Sequence, residues 1–319
     1  MNTTHITTTT ITTIIEQPNI KHLVISGGGP TGIKALGALK HLEENGFWNI
    51  NHIQSIYATS AGAIIAVLLC LRFDWQAITD YVIYRPWHET YNIEVTKILE
   101  AYSKKGIFDD SVLRVFFKPF FDAKDLSMDM SLTEFFAYSN IELHVFSLEL
   151  NRFEIIDISY KTHPDISILT AIHMTSALPI IITPVCIEDK CYVDGGVICN
   201  YPLNYCLNTF PERTEILGVR NKYELSEENN IVDHKSTILE YMIRFINKFV
   251  SNADTENKQS VISNEISYKT VPIGLEYMKS ALCSVDVRKQ LLNDGIRVAT
   301  EFLAKNLQIN DEDEDKDEL

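Results

Sequence analysis

The sequence predicts an α/β fold built on a mainly parallel central sheet flanked by helices. Three observations carry this expectation. A short apolar run at residues 21–26 stops at three consecutive glycines. Residues 31–44 then place Ile33, Leu36, Leu39 and Leu42 at helical spacing, and a second apolar run at 50–58 leads into the strongly apolar segment 61–72. Strand, helix, strand, helix within about fifty residues is how parallel strands are joined, because a parallel pair needs a crossover connection.

The remaining elements follow in order. Residues 1–19 are Thr-rich and polar, and are expected to form a disordered lead-in. Residues 73–130 are less regular and rich in aromatics, which suggests two or three helices beside the sheet. Residues 143–149 and 153–158 alternate enough to be strands joined by a turn near Asn151. Residues 167–176 read as a helix that ends before Leu178 and Pro179. A short strand at 190–194 is halted by Gly195 and Gly196, and 216–219 is a further strand. Residues 236–250 and 285–307 have amphipathic helical patterns, with a polar, loop-like stretch at 251–258 between them. One catalytic-sized domain is therefore expected over 20–308, followed by an acidic tail at 309–319.

Composition removes several function classes. The formal charge is −15, and residues 311–319 alone carry seven acids and one Lys. Phosphate backbones are met by clusters of Lys and Arg, so no nucleic-acid partner is expected. Six Cys with no Cys-x-x-Cys pair provide neither a zinc site nor a disulfide framework, and are expected to be reduced, as in a cytoplasmic protein. The longest apolar stretch, residues 63–71, is too short to span a bilayer. The closing Lys316, Asp317, Glu318 and Leu319 match an ER-retention address. With no leader visible in residues 1–13, the match is expected to be coincidental.

Three short segments carry chemistry. Gly27, Gly28, Gly29, Pro30, Thr31 and Gly32 lie between the first strand and its helix, where free amides and the helix N-terminus favour negative charge. Ile33 stands where a phosphate-binding P-loop needs Lys. As a dinucleotide fingerprint the loop lacks an acid at the end of the next strand. A ligand-free tight turn and an oxyanion hole are the readings that remain. Ala58, Thr59, Ser60, Ala61 and Gly62 fall where the second strand turns into its helix: Ser60 is either a nucleophile on a sharp elbow or an ordinary helix cap. Asp194, before Gly195 and Gly196, is either the base that a serine nucleophile needs or part of an Asp-Gly turn. His144 and His173 read as structural residues.

In this order and at strand ends, Gly-Gly-Gly-x-x-Gly, Ser-x-Gly and Asp-Gly-Gly resemble the patatin-like phospholipase family. Ser176, Ala177, Leu178 and Pro179 with Pro184, and Asn200, Tyr201 and Pro202, are similar to its neighbouring blocks. The resemblance covers residues 21–202 and implies a three-layer sandwich and a Ser–Asp dyad without His. It implies that Ser60 attacks an ester carbonyl and Asp194 takes its proton. Gly27, Gly28 and Gly29 then line the oxyanion hole, supported by Gly32, Gly62, Gly195 and Gly196. The implied substrates are fatty-acyl esters of phospholipids or related glycerolipids, with no metal or other cofactor. A catalytically weak lipid-binding or scaffolding member of the same fold is the alternative. Two positions depart from the family pattern. Thr31 stands where a basic residue is usual, with Lys34 as the candidate to replace its charge, and Ala58 stands for Gly, which would strain the chain at positive φ. Transient membrane contact is expected through Ile238, Tyr241, Met242, Phe245, Ile246 and Phe249, or through the aromatic residues between Tyr81 and Tyr91, although such a stripe equally suits a core face.

Overall fold

The computed structural model describes residues 18–91, 95–223, 231–256, 261–270 and 274–317. Most of the expected lead-in, and Glu318 and Leu319, lie outside the described residues. The fold opens as the sequence predicts. β1 (His22–Ile25) is buried along its length and leads through the glycine loop into α1 (Gly32–Glu44). β2 (Ser55–Thr59), equally buried, leads into α2 (Ala61–Cys70). The second strand starts later than expected. Ile50–His52 is a 3-10 turn, because the Asn49 side chain accepts the Asn51 N–H and bends the chain.

The aromatic-rich region holds more helices than expected: α3 (Trp75–Tyr84), α4 (Trp87–Thr90), α5 (Val95–Lys104) and α6 (Ser111–Asp122), with the short strand β3 (Gly106–Phe108) before α6. α7 (Leu132–Ser139) begins at a capping box, Ser131 and Glu134 each satisfying the other's backbone N–H. β4 (Glu142–Glu149) and β5 (Glu154–Ile158) form the expected hairpin, and α8 (Ile168–Ser176) is capped by Ser167. Then come β6 (Ile180–Ile182), β7 (Val185–Ile187), β8 (Lys190–Asp194), α9 (Leu203–Thr209) and β9 (Ile216–Tyr223). The chain closes with α10 (Ile238–Glu256), β10 (Glu265–Thr270), α11 (Leu275–Cys283) and α12 (Val285–Asp317). α10 continues into the stretch read as a loop, and α12 continues through the acidic stretch to Asp317. Neither extension contains Gly or Pro to stop it.

The main sheet runs β10-β9-β1-β2-β4-β8-β7, with β5 on the other edge of β4. The first five are parallel; β5, β8 and β7 pair antiparallel. Alternate residues of the central strands enter different cores. Leu23, Ile25, Ile56 and Ala58 join the large cluster under α1 and α2, whereas Val24 and Tyr57 join a smaller one with Leu203 and Cys206 of α9. Helices on both faces of one sheet make the expected three layers. α1 and α12 cross closely, and a Cβ at Gly295 would stand 1.9 Å from the Lys34 carbonyl oxygen. All six Cys are free thiols, and no helix among the described residues is long and apolar enough to cross a membrane.

One detail of register sets up everything that follows. β2 and β8 lie on the same edge of β4, end to end. The last β2 residue, Thr59, pairs with Phe146, and the next β4 residue, Ser147, pairs with Asp194. Because β8 runs antiparallel to β4, its C-terminal residue arrives where β2 has just ended. Ser60 and Asp194 meet there.

Candidate active site

Ser60 occupies a sharp elbow with φ 53° and ψ −125°, a region that costs a non-glycine residue about 1–3 kcal/mol. Gly62 is what lets the following helix pack against β1: a Cβ there would sit 2.5 Å from the Ile25 carbonyl oxygen. The elbow is pinned by Thr175, which the sequence did not single out. Its buried hydroxyl accepts the Ser60 N–H (3.0 Å) and donates to the Phe146 carbonyl. The serine side chain does not cap α2. Its Oγ donates instead to Asp194 Oδ2 at 2.6 Å.

Asp194 is 3% exposed. Its second oxygen, Oδ1, accepts the Gly196 N–H at 2.7 Å, so the Asp-Gly turn and the pairing with serine are both present. Burial raises the Asp194 pKa to about 6, against the lowering effect of these two donors. Gly195 lies flat against β4, where a Cβ would come within 2.2 Å of the Phe146 carbonyl oxygen. Among the described residues no histidine lines the cavity beside Ser60 and Asp194. His144 is held between Asp157 and Glu142, and His173 bonds the Thr183 carbonyl.

The glycine loop stands opposite Ser60. Gly27 is not an available donor, because its N–H is committed to the Asn200 carbonyl at 3.0 Å. The expectation for three oxyanion amides therefore narrows to Gly28 and Gly29, whose N–H groups have no acceptor among the described residues. Gly32 opens α1 and packs against the Ala61 side chain. Ala58 brings no strain: it is fully buried in β2 and is not among the residues with positive φ. Lys34 does not replace a loop charge, since its ammonium pairs with Asp294 of α12 at 3.3 Å.

Ser60, Asp194, Gly28 and Gly29 share one cavity of about 260 Å³. Its walls are apolar, with Leu36, Leu68, Val82, Trp87, Phe116 and Ile181 contributed by α1, α2, α3, α4, α6 and β6. Leu68 lies eight residues beyond Ser60 on α2, so the cavity reaches about 12 Å along that helix. The buried Ser176 Oγ also lines it and has no hydrogen-bond partner among the described residues. Of the aromatic residues between Tyr81 and Tyr91, Trp87 and Tyr91 belong to this wall, whereas Tyr84 is 57% exposed. Tyr81 and Trp87 pack on Phe116 and under the Arg85 guanidinium, and Trp87 is 5% exposed. Arg288 closes another side. Its buried guanidinium donates to the carbonyls of Ile83, Arg85, Ala281 and Leu282 (2.7–3.2 Å), tying together the C-terminal ends of α3 and α11.

The Patatin-like phospholipase family matches residues 23–207, more than half of the chain, and the chain belongs to that family. Probable lipid hydrolase 463L of Invertebrate iridescent virus 6 is 27% identical over 192 residues, covering 59% of this chain and 63% of that protein. Uncharacterized protein R571 of Acanthamoeba polyphaga mimivirus is also 27% identical, over 191 residues, covering 59% and 62%. The chain thus spans less than two thirds of the length of these relatives. VipD from Legionella pneumophila has the same fold, with a TM-score of 0.52 at 16% identity over 90% of this chain and 67% of that one.

The Arg288 clamp is a stability element of the cavity wall. Arg288→Leu is expected to lower stability by roughly 2–4 kcal/mol, since it strands buried carbonyl acceptors. Urea denaturation monitored by fluorescence measures this, and a midpoint equal to wild type would refute it.

Proposed function

We propose that the chain is a serine lipid acyl hydrolase that cleaves fatty-acyl esters of phospholipids or related glycerolipids through a Ser60–Asp194 dyad. The observation that carries this reading is the 2.6 Å hydrogen bond from Ser60 Oγ to a buried carboxylate, at the wall of an apolar cavity. Ser60 Oγ attacks the acyl carbon while its proton passes to Asp194 Oδ2. The carbonyl oxygen becomes an oxyanion, held by the Gly28 and Gly29 amides beside the positive end of α2. Collapse expels the alcohol, which takes its proton from Asp194. Water then attacks the acyl-serine while giving a proton to Asp194; on collapse Ser60 Oγ leaves and takes that proton back, and the fatty acid is released. The acyl chain occupies the apolar cavity throughout.

An aspartate of ordinary pKa, about 3.9, is a weak base at neutral pH. Burial improves it here, and the raised value, about 6, is close to the working range of a general base. Lipid substrates also have to be reached at a surface. On α10, Ile243 and Ile246 face inward, whereas Tyr241, Phe245 and Phe249 form a continuous outward aromatic row, each more than 40% exposed. The same helix packs against the Gly195–Val197 turn that follows Asp194. A continuous exposed row supports the helix as the membrane contact; in the other expected segment Trp87 and Tyr91 line the cavity and Tyr84 alone is strongly exposed.

Four outcomes are expected. Ser60→Ala and Asp194→Asn each lower hydrolysis of a short-chain acyl ester by about a thousand-fold or more with the fold intact; wild-type turnover in either sinks the reading. A labelled fluorophosphonate modifies Ser60, located by mapping the peptide. Because Asp194 must be unprotonated to act, kcat/KM rises with pH through about 6 and levels off above it; a profile flat from pH 5 to pH 8 speaks against Asp194 as the base. Finally, Phe245→Asp with Phe249→Asp reduces co-flotation with phosphatidylcholine vesicles, and unchanged flotation excludes α10 as the contact.

A further inference from the structure

We infer that Thr31 and Asn221 are positioning residues which hold the oxyanion-binding amides of the glycine loop in their working orientation. The inference rests on the hydrolase reading above and adds the groups that make it efficient.

In a trans peptide the C=O and N–H point in opposite directions, so fixing one aims the other. The Gly28 N–H shares a peptide with the Gly27 carbonyl, and the Gly29 N–H shares one with the Gly28 carbonyl. Both carbonyls are held from behind. Asn221 Nδ2 donates to the Gly27 carbonyl oxygen (3.3 Å) and to Thr31 Oγ1 (3.2 Å). Thr31 in turn donates to the Gly28 carbonyl oxygen twice, from Oγ1 at 2.7 Å and from its N–H at 3.1 Å. The donor inventory closes: two amide hydrogens on Asn221 and one hydroxyl hydrogen on Thr31, each with one acceptor.

The brace is itself anchored. Asn221 sits in β9 and its N–H donates to Ser26 Oγ at 2.7 Å. Thr31 and Asn221 are 1% and 0% exposed, so no solvent competes for these bonds. The two side chains also occupy the space that a side chain at position 28 would need: a Cβ there would meet Thr31 Oγ1 at 2.3 Å and Asn221 Nδ2 at 2.6 Å. Three consecutive glycines have the most backbone freedom a loop can have. Oxyanion stabilisation depends on donors fixed before the charge develops. Here a neutral hydroxyl and a carboxamide supply that order at the position where the family pattern has a basic residue.

The test compares full-length wild type with Thr31→Val, which keeps the branched shape and loses the hydroxyl, and Thr31→Ser, which keeps the hydroxyl. Turnover of a short-chain ester and inhibition by an alkyl trifluoromethyl ketone, which forms a tetrahedral oxyanion on Ser60, are measured for each. Removing one oxyanion donor costs on the order of 100- to 1,000-fold, so loosening it through Thr31→Val is expected to lower kcat by roughly 10- to 100-fold at nearly unchanged KM. Ketone affinity should fall in parallel, and Thr31→Ser should restore most of both. If the Val variant does not fold, Asn221→Leu is held to the same two readouts. Equal losses in the Val and Ser variants, turnover like wild type in the Val variant, or a loss of kcat without loss of ketone affinity each overturn the inference while leaving the dyad standing. A wild-type chain that neither hydrolyses ester nor labels at Ser60 removes the hydrolase reading, and this inference with it.

Discussion

Asp194 places a carboxyl group in the interior, 3% exposed, with two donors to receive it: the Ser60 hydroxyl and the Gly196 amide. An isolated buried carboxylate is too costly to persist, so it takes up a proton or is given hydrogen bonds. Here the donors only partly offset burial, and the pKa settles at about 6. The arrangement around the site follows from keeping that balance. The sheet must bring the donors to the carboxyl, and glycine must occupy the positions where backbone crowds it.

The register of β4 is how the sheet meets this demand. One strand cannot pair with two others at the same residues, but an eight-residue strand can pair with β2 along its first part and β8 along its last. Ser60 and Asp194 are then neighbours through backbone pairing, with no long side chain needed to span a gap. The short reach of Ser and Asp suits this geometry, and so does the absence of a histidine between them.

Much of this was legible in the sequence, because the segments concerned are locally determined. The glycine run, the small residues around Ser60 and the two glycines after Asp194 each require a special backbone, and such requirements are written in residue type. The elements that the sequence does not announce are set by tertiary contact. β6 and β7 have three residues each and α4 is one turn, too short to show a period. Thr175 and Asn221 are ordinary polar residues whose contacts form only when loops far apart in sequence are brought together. Gly27 could not be separated from Gly28 and Gly29 by type alone, since what distinguishes it is the Asn200 carbonyl, 173 residues away. Ala58 shows the reverse case: the positive φ that would penalise a Cβ falls on Ser60, not on Ala58.

The distance along the chain between Ser60 and Asp194, 134 residues, has a consequence for how the protein comes into being. Contacts between distant segments form late, because a long loop must close before they are rewarded. A growing or partly folded chain that has built β1, α1, β2 and α2 already owns its serine elbow and glycine loop. It lacks Asp194, and the apolar cavity is not yet walled by α11. The buried carboxyl and its two donors come together only when β8 docks on β4.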